Sequence, residues 1–392
     1  MHRLVALDMP GGAAFVTALR RCFDAGDAVA PLDRRLPVPA RARALAELRP
    51  SAVIGADGSE HRLPGGQPVE EGDAVVVATS GTTGEAKAAV LTYAAVRASA
   101  LATSARLGVD PTSDTWLCCL PLAHVGGLSV VLRALELGTG LVVHPQFDAA
   151  EVIGAAGEGA NLVSLVPTAL RRLGEKAALF KRIVLGGMAP PEELPDNVVT
   201  TYGLTETGSG VVYDGWPLPG VEVRIREGEI QLRCPMALRG YRDGTTPLDA
   251  NGWLSTGDGG ELDRSGRLIV HGRLAEVVVT GGEKVWPATV EPVLARCPGV
   301  AEVAVTGVTD AEWGERLVAC VVPTPNMALP RLEDLRALAR AELGPWAAPK
   351  QLVLLRSLPR TSLGKLRRAA LRAALNREHA GDPRPPEGPR PA

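Results

Sequence analysis

The chain has 392 residues, 46% of them hydrophobic and 22% charged, enough for two or three domains with cores of their own. A net charge of −2 supplies no field that would favour nucleic acid or an anionic membrane surface, and no apolar run is long enough to span a bilayer. The start, Met1 to Asp8, does not read as a signal peptide, and the six cysteines form no C-x-x-C pair, so buried free thiols in a reducing cytoplasm are expected.

In chain order, the pattern predicts a helix from Ala13 to Cys22, a strand at Ala28 to Ala30, a helix near Ala40 to Leu48 and a strand at Ser51 to Ile54. From 74 to about 200, apolar strands alternate with amphipathic helices: Val75 to Ala78, Trp116 to Leu120, Gly140 to Val143, Leu162 to Val166 and Arg182 to Leu185. That alternation argues for a largely parallel sheet with helices on both faces. Between about 221 and 271 come short strands with Gly and Asp turns, at Glu222 to Ile225, Glu229 to Arg233 and Arg267 to His271. An α+β segment follows, with a strand starting at Val277, and ends near Asn376. The Pro-, Arg- and Gly-rich tail from Arg377 is expected to be disordered. The fold class expected is α/β: a large N-terminal domain of mostly parallel sheets flanked by helices, with a small β-rich subdomain, and a smaller mobile α+β C-terminal domain. The boundaries expected are 1–273, 274–376 and a tail at 377–392.

The chemistry starts in the loop Thr79-Ser80-Gly81-Thr82-Thr83-Gly84-Glu85-Ala86-Lys87. Glycines let backbone N–H groups turn toward phosphate oxygens, hydroxyls add donors, and a lysine adds a mobile positive charge. It is not a P-loop, because Glu85 and Ala86 separate Gly84 from Lys87. By itself such a stretch is often a plain solvent loop. It is followed, in order, by Leu120-Pro121-Leu122-Ala123-His124-Val125-Gly126-Gly127, Gly186-Gly187-Met188, Thr201-Tyr202-Gly203-Leu204-Thr205-Glu206-Thr207, Gly252 to Asp258 with its carboxylate in a turn, Gly272-Arg273, Gly281-Gly282-Glu283-Lys284 and Pro359 to Lys365.

Over about residues 25 to 370 this ordered set resembles the superfamily of AMP-forming acyl-CoA synthetases, adenylation domains and luciferases. The resemblance implies that a carboxylate is joined to the α-phosphate of ATP with loss of pyrophosphate, after which a thiol takes the acyl group. It implies that residues 79–87 wrap the β- and γ-phosphates, that Thr205 donates to the α-phosphate and that Glu206 helps hold Mg²⁺. Gly186, Gly187, Met188, Tyr202 and Gly203 would frame the adenine, Asp258 the ribose hydroxyls with Arg273 nearby. Lys365 would bridge the substrate carboxylate and the α-phosphate. His124, with Gly126 and Gly127, would line and gate the acyl pocket. The segment after Arg273 would rotate about a hinge at Leu274-Ala275, bringing Gly281, Gly282 and Glu283 to the CoA channel. Departures are Ala86 for proline, Ala88 for glycine and Glu276 for aspartate, together with a short N-terminal part in which Pro31-Leu32-Asp33 survives.

Within the superfamily, Leu120 to Val130, Val163 to Leu170, Gly281 to Pro287 and the run from Thr205 to Gly215 are similar to the o-succinylbenzoate–CoA ligases of menaquinone biosynthesis. That resemblance implies ATP, Mg²⁺ and CoA, a cytoplasmic enzyme without nucleic-acid or membrane partners, homodimeric as an expectation, and a pocket for an aromatic dicarboxylate such as 2-succinylbenzoate. Thr168 and Gly208 are candidates for its walls. Arg172, with Arg171 beside it, is the candidate partner for the second carboxylate, although either could be a solvent-facing helix arginine. A ligase for another small aryl or short-chain acid, or one that loads a carrier-protein thiol, stays open. A non-catalytic adenylate-binding protein is opposed by Lys87, Glu206, Asp258 and Lys365 occurring together.

Overall fold

The computed structural model describes residues 2–79, 87–191, 193–360 and 366–379, with side chains to residue 377, and every structural count or absence below refers to these. Ser80, Gly81, Thr82, Thr83, Gly84 and Lys365 lie outside them. Two compact units are present: Met1–Arg226, Ile230–Thr256 and Leu262–Leu268 make the first, and Glu227–Glu229, Gly257–Glu261 and Ile269–Ala392 the second.

The first unit starts with β1 (Leu4–Leu7), α1 (Ala13–Asp24), β2 (Ala28–Pro31), α2 (Val38–Leu48), β3 (Ala52–Ile54), β4 (Glu60–Arg62), β5 (Asp73–Thr79) and β6 (Lys87–Thr92). These strands form a sheet in the order β6-β5-β2-β1-β3-β4, with a two-residue strand at Gly240–Tyr241 outside β6. Its middle is parallel and its edges antiparallel. The sequence pattern missed β1, the strand between β2 and β3. All of its residues are fully buried: Val5 and Leu7 enter one core and Leu4 and Ala6 the other. A strand covered on both faces loses the apolar–polar alternation that marks one.

Next come α3 (Tyr93–Leu107), β7 (Thr115–Cys118), α4 (Val125–Leu137), β8 (Gly140–Val143), α5 (Ala149–Gly157), β9 (Leu162–Leu165), α6 (Pro167–Leu173), β10 (Arg182–Leu185), β11 (Val198–Leu204), β12 (Ser209–Tyr213) and β13 (Trp216–Pro217). Their sheet runs β13-β12-β11-β10-β9-β7-β8, parallel from β11 to β8. Helix α3 starts where the Thr92 hydroxyl accepts from Ala95 N at 3.1 Å, and Asp148 caps α5 in the same way. Residues of α1, α3 and α4 share the largest core with one face of each sheet. Helix α2 packs on the other face of the first sheet, and α5 and α6 on the other face of the second. Cys118 and Cys119 are buried as expected, and burial pushes both thiols up.

The β-rich region supplies β14 (Glu222–Arg226), β15 (Glu229–Arg233), β16 (Gly240–Tyr241, the outer neighbour of β6), β17 (Leu254–Leu262) and β18 (Leu268–Arg273). Asp258 therefore lies inside a strand, not in the turn expected for it. The Gly252-to-Asp258 run reads as a turn because of its glycines, yet Gly257 takes up φ +69° without ending β17. Strand β18 likewise extends through Gly272 and Arg273, past the His271 expected as its end.

The remainder of the second unit is β19 (Val278–Thr280), β20 (Glu283–Val285), α7 (Pro287–Ala295), the hairpin β21 (Val300–Asp310) and β22 (Gly314–Pro323), α8 (Leu332–Glu342), β23 (Gln351–Leu354) and α9 (Arg368–His379). Helices α7 and α8 cover one face of its sheet and α9 the other. Helix α9 runs into the stretch expected to be tail, because Leu371 and Leu375, one turn apart, bury against β21 and β22 residues.

Candidate active site

Register holds the ends of the Ser/Thr/Gly loop. Thr79 pairs with Lys87 across β5 and β6, and the Lys87 amide donates to Thr79 Oγ1 at 3.3 Å. On the outer side of β6, Tyr241 pairs with Ala89. The Tyr241 hydroxyl donates to Glu206 Oε1 at 2.9 Å, and Lys87 Nζ stands 4.7 Å from the centre of the same ring. Lys87 Nζ also reaches Thr245 Oγ1 at 3.4 Å, and Asp243 fixes that threonine. Burial and the neighbouring Glu206 charge push the Tyr241 hydroxyl up, so it stays a donor at neutral pH.

Thr205 and Glu206 sit in a 3₁₀ turn, Thr205–Thr207, between β11 and β12. The Thr207 hydroxyl accepts from Leu204 N at 2.9 Å, and Leu238 N binds the Glu206 carbonyl at 2.7 Å. No group of three or more His, Cys, Asp or Glu side chains is placed to hold a metal among the described residues. Glu206 offers one carboxylate, with one oxygen engaged by Tyr241. That set suits a hard cation that brings most of its oxygen ligands with phosphates and water, as Mg²⁺ does with a nucleotide.

Gly186, Gly187 and Met188 follow β10, and half-buried Tyr202 lies on the adjacent parallel strand β11. Met188 is exposed. Gly203 admits no side chain, since a Cβ there would stand 2.2 Å from the Ser209 carbonyl oxygen.

His124 is the residue before α4, where the chain turns in tightly: a Cβ on Gly127 would lie 2.4 Å from Leu120 O, whereas Gly126 has ordinary room. The His124 Nε2 is 3.2 Å from Asp33 Oδ2. Burial pushes the Asp33 carboxyl up, but hydrogen bonds from Arg35 and His124 outweigh it and hold the group well below the usual carboxylate range.

A cavity opens between α3 and α4, lined among others by Leu91, Ser99, Leu128, Ser129, Gly208 and Arg133. Arg133 is 2% exposed. Its guanidinium stacks 4.7 Å from the Trp116 ring centre and reaches Ser209 Oγ at 3.4 Å, but Nε and Nη1 have no partner among the described residues. Burial pulls its pKa down, yet a guanidinium stays charged in proteins. A buried cation with unused donors is a receptor for an anion. The motifs did not reveal this residue, although it interrupts the otherwise apolar run from Val130 to Leu135.

Arg172 is not brought to this cavity. Pro167, Ala169, Leu170 and Leu173 take the buried face of α6, which leaves Thr168, Arg171 and Arg172 on the exposed one.

In the second unit, Arg273 Nε is 3.1 Å from Asp258 Oδ1, and Asp258 is buried. Gly281 and Gly282 form the turn between β19 and β20, where Gly281 N binds Trp313 O at 2.9 Å and Glu283 is exposed. Leu274 and Ala275 lie in a 3₁₀ turn, Leu274–Glu276. An antiparallel bridge from Arg360 to Leu366 joins the residues flanking the segment that contains Lys365.

Two family models match this chain: the AMP-binding enzyme model over residues 56–241 and the AMP-binding enzyme C-terminal domain model over residues 289–365. A probable 2-succinylbenzoate–CoA ligase of Mycobacterium tuberculosis is 39% identical over 330 residues, covering 78% of this chain and 85% of that protein. The chain belongs to the AMP-binding enzyme family. This AMP-binding enzyme is also 34% identical over 336 residues to the 2-succinylbenzoate–CoA ligase of Bacillus cereus, covering 76% of its own chain and 69% of that relative. Its fold matches, at a TM-score of 0.83 and 29% identity, the o-succinylbenzoate CoA synthetase of Bacillus subtilis solved with an acyl-adenylate intermediate, over 94% of this chain and 87% of that one. The same synthetase solved with ATP and magnesium matches at a TM-score of 0.82 and 28% identity, over 94% and 89%. The mixed α/β architecture is that of adenylate-forming enzymes, and the protein is an AMP-forming ligase that uses ATP, Mg²⁺ and CoA. No described helix is long and apolar enough to cross a membrane.

Proposed function

We propose that this ligase acts on 2-succinylbenzoate. One carboxylate oxygen attacks the α-phosphorus of ATP and the bond to pyrophosphate breaks. The CoA thiol then attacks the acyl carbonyl, forming the C–S bond and releasing AMP. The observation that carries the substrate is Arg133: a cavity with a buried, under-used guanidinium suits an acid with a second carboxylate. The names of the relatives support the same reading.

In this reading Lys87 and the loop from Thr79 through Ser80, Gly81, Thr82, Thr83 and Gly84 neutralise the β- and γ-phosphates. Thr205 donates to the α-phosphate, and Glu206 presents its carboxylate to the magnesium that accompanies ATP. That ion's chemistry is charge neutralisation on the leaving pyrophosphate. Gly186 to Met188, Tyr202 and Gly203 take the adenine, and the Asp258–Arg273 pair the ribose. His124, Gly126, Gly127 and Gly208 shape the acyl approach, with Arg133 in place of Arg172 at the second carboxylate. Lys365 stabilises the charge developing during adenylation. Leu274 and Ala275 hinge the segment 274–376 away from 1–273 between half-reactions, which gives Gly281, Gly282 and Glu283 their turn at CoA. A cytoplasmic homodimer completes the reading.

Purified protein should form a thioester from 2-succinylbenzoate, ATP and CoA, with pyrophosphate exchange stimulated far less by monocarboxylic aryl acids. Exchange driven equally well by benzoate-type monoacids would replace this substrate with another small acid. Adenylation without CoA capture would instead favour a carrier-protein acceptor.

A further inference from the structure

One residue that neither motif contains touches both Lys87 and Glu206. Both are polar groups of opposite charge on neighbouring segments, yet they form no ion pair among the described residues; the Tyr241 side chain touches each, its ring face against Lys87 and its hydroxyl against Glu206. We propose that Tyr241 is a positioning residue for the triphosphate site, its hydroxyl orienting the Glu206 carboxylate while its ring face seats the Lys87 ammonium. This rests on the reading above in which Lys87 and Glu206 meet Mg·ATP.

The backbone around Tyr241 is built to keep it still. Its two-residue strand is paired to β6 through Gly240–Val90 and Tyr241–Ala89. Arg239 N and Arg242 N extend that ladder to Val90 O and Ala88 O, at 2.9 and 2.8 Å. The side chains of the two flanking arginines are themselves anchored. Arg239 forms a two-point pair with Asp73, whose side chain is fully buried, at 2.9 Å for both bonds. Arg242 donates to three backbone carbonyls, those of Leu48, Gln67 and Pro68. A tyrosine held at this many points fixes where its hydroxyl and its ring face can be.

The consequence is a division of the two charges. A Lys–Glu pair satisfied by itself would have to be broken before phosphate or a hard cation could bind, at the cost of their mutual attraction. With the ring face beneath it, Lys87 loses little solvation, and its Nζ donates to Thr245 Oγ1 at 3.4 Å. Glu206 keeps the oxygen that Tyr241 does not engage available for a cation carried by the nucleotide. Both groups are oriented before ligand arrives, which is the condition under which fixed charges contribute most.

The test measures equilibrium binding of β,γ-methylene ATP by titration calorimetry, with Mg²⁺ and with EDTA, for wild type and for the variants Tyr241→Phe, Tyr241→Ala, Glu206→Gln and Lys87→Ala. Tyr241→Phe keeps the ring and loses the hydroxyl. It should weaken binding about tenfold with Mg²⁺ and leave binding in EDTA unchanged. Adding Glu206→Gln to it should cause little further loss, since both act on one carboxylate. Tyr241→Ala should weaken binding in both conditions. AMP, which lacks the β- and γ-phosphates, should bind all variants as it binds wild type, which a general loss of folding would not allow. Wild-type Mg²⁺-dependent affinity in Tyr241→Phe, with Glu206→Gln impaired, overturns the role of Tyr241 and leaves the site reading standing. Wild-type affinity in both Glu206→Gln and Lys87→Ala overturns the site reading, and the proposal with it.

Discussion

Two arginines largely withdrawn from solvent, Arg133 in the first unit and Arg368 in the second, show how burial alone fails to separate structure from function. Arg368, with its side chain 11% exposed, donates to Glu276 Oε2 at 3.0 Å, to Glu291 and to the Val305 carbonyl. Burial pulls its pKa down, but Glu291 and Glu276 more than reverse this and hold the guanidinium charged. Among the described residues Arg133 has an aromatic ring and one long hydroxyl contact, and only the Tyr213 phenol counters the effect of its burial. A desolvated charge must be compensated somewhere. In Arg368 the chain itself does it, tying the start of α9 to the 3₁₀ turn at Leu274–Glu276 and to α7. For Arg133 the proposed function leaves the compensation to a ligand.

The comparison breaks first at Arg368. Arg368→Met leaves two carboxylates facing one another and should lower unfolding stability by about 3 kcal/mol, read as the urea midpoint of the second unit's transition. A loss under about 1 kcal/mol would mean that the network is solvated decoration. Arg133→Met should do the reverse. The ligand-free protein should melt no lower than wild type, because an uncompensated charge is replaced by an apolar group of similar size. The kcat/KM for 2-succinylbenzoate should fall about 10- to 100-fold, the worth of a charge-assisted hydrogen bond, with the KM for ATP unchanged. A large drop in melting temperature with normal kinetics would make Arg133 a second Arg368.

Asp33 extends the comparison to a buried anion that does have partners, Arg35 and His124. Its folded pKa is depressed, so its stabilisation is complete above the ordinary aspartate value and drains away as pH falls through the depressed one. Asp33→Asn should therefore cost about 1 kcal/mol at pH 7, and the gap to wild type should narrow below about pH 4. A gap that stays constant from pH 7 to pH 3 would show that charge is not what Asp33 supplies. The smallest effect belongs to Arg172→Ala. An exposed arginine on α6 should change the KM for 2-succinylbenzoate by less than about twofold; a larger change would return the second carboxylate to α6.

How much of this was legible depended on the distance over which a residue acts. The loop ending in Lys87, the His124-Val125-Gly126-Gly127 turn into α4 and the Thr205–Glu206 turn were readable because each works through neighbours a few positions away. Backbone geometry there demands Gly, Thr or Ser locally. Arg368 carries no local signal of its pairing, since its partners Glu276 and Glu291 are 92 and 77 residues away. Tyr241 met Glu206 only across 35 residues, and Asp33 met His124 across 91.

The sequence by itself determined the elements that repeat a local rule: alternating strands and helices, Gly-rich turns after strands, and the order of motifs that places this chain among adenylate-forming enzymes. Tertiary structure decided which polar residues are satisfied and which are not. Satisfaction is a property of pairs, and the pairing of Tyr241 with Glu206, or the lack of a carboxylate partner for Arg133 among the described residues, depends on how sheets and helices bring distant segments together. Burial strength follows the same logic: β1 looks like a plain apolar run until two layers close over it. Local propensity fixes what a segment can be, and packing fixes what each charge within it is left to do.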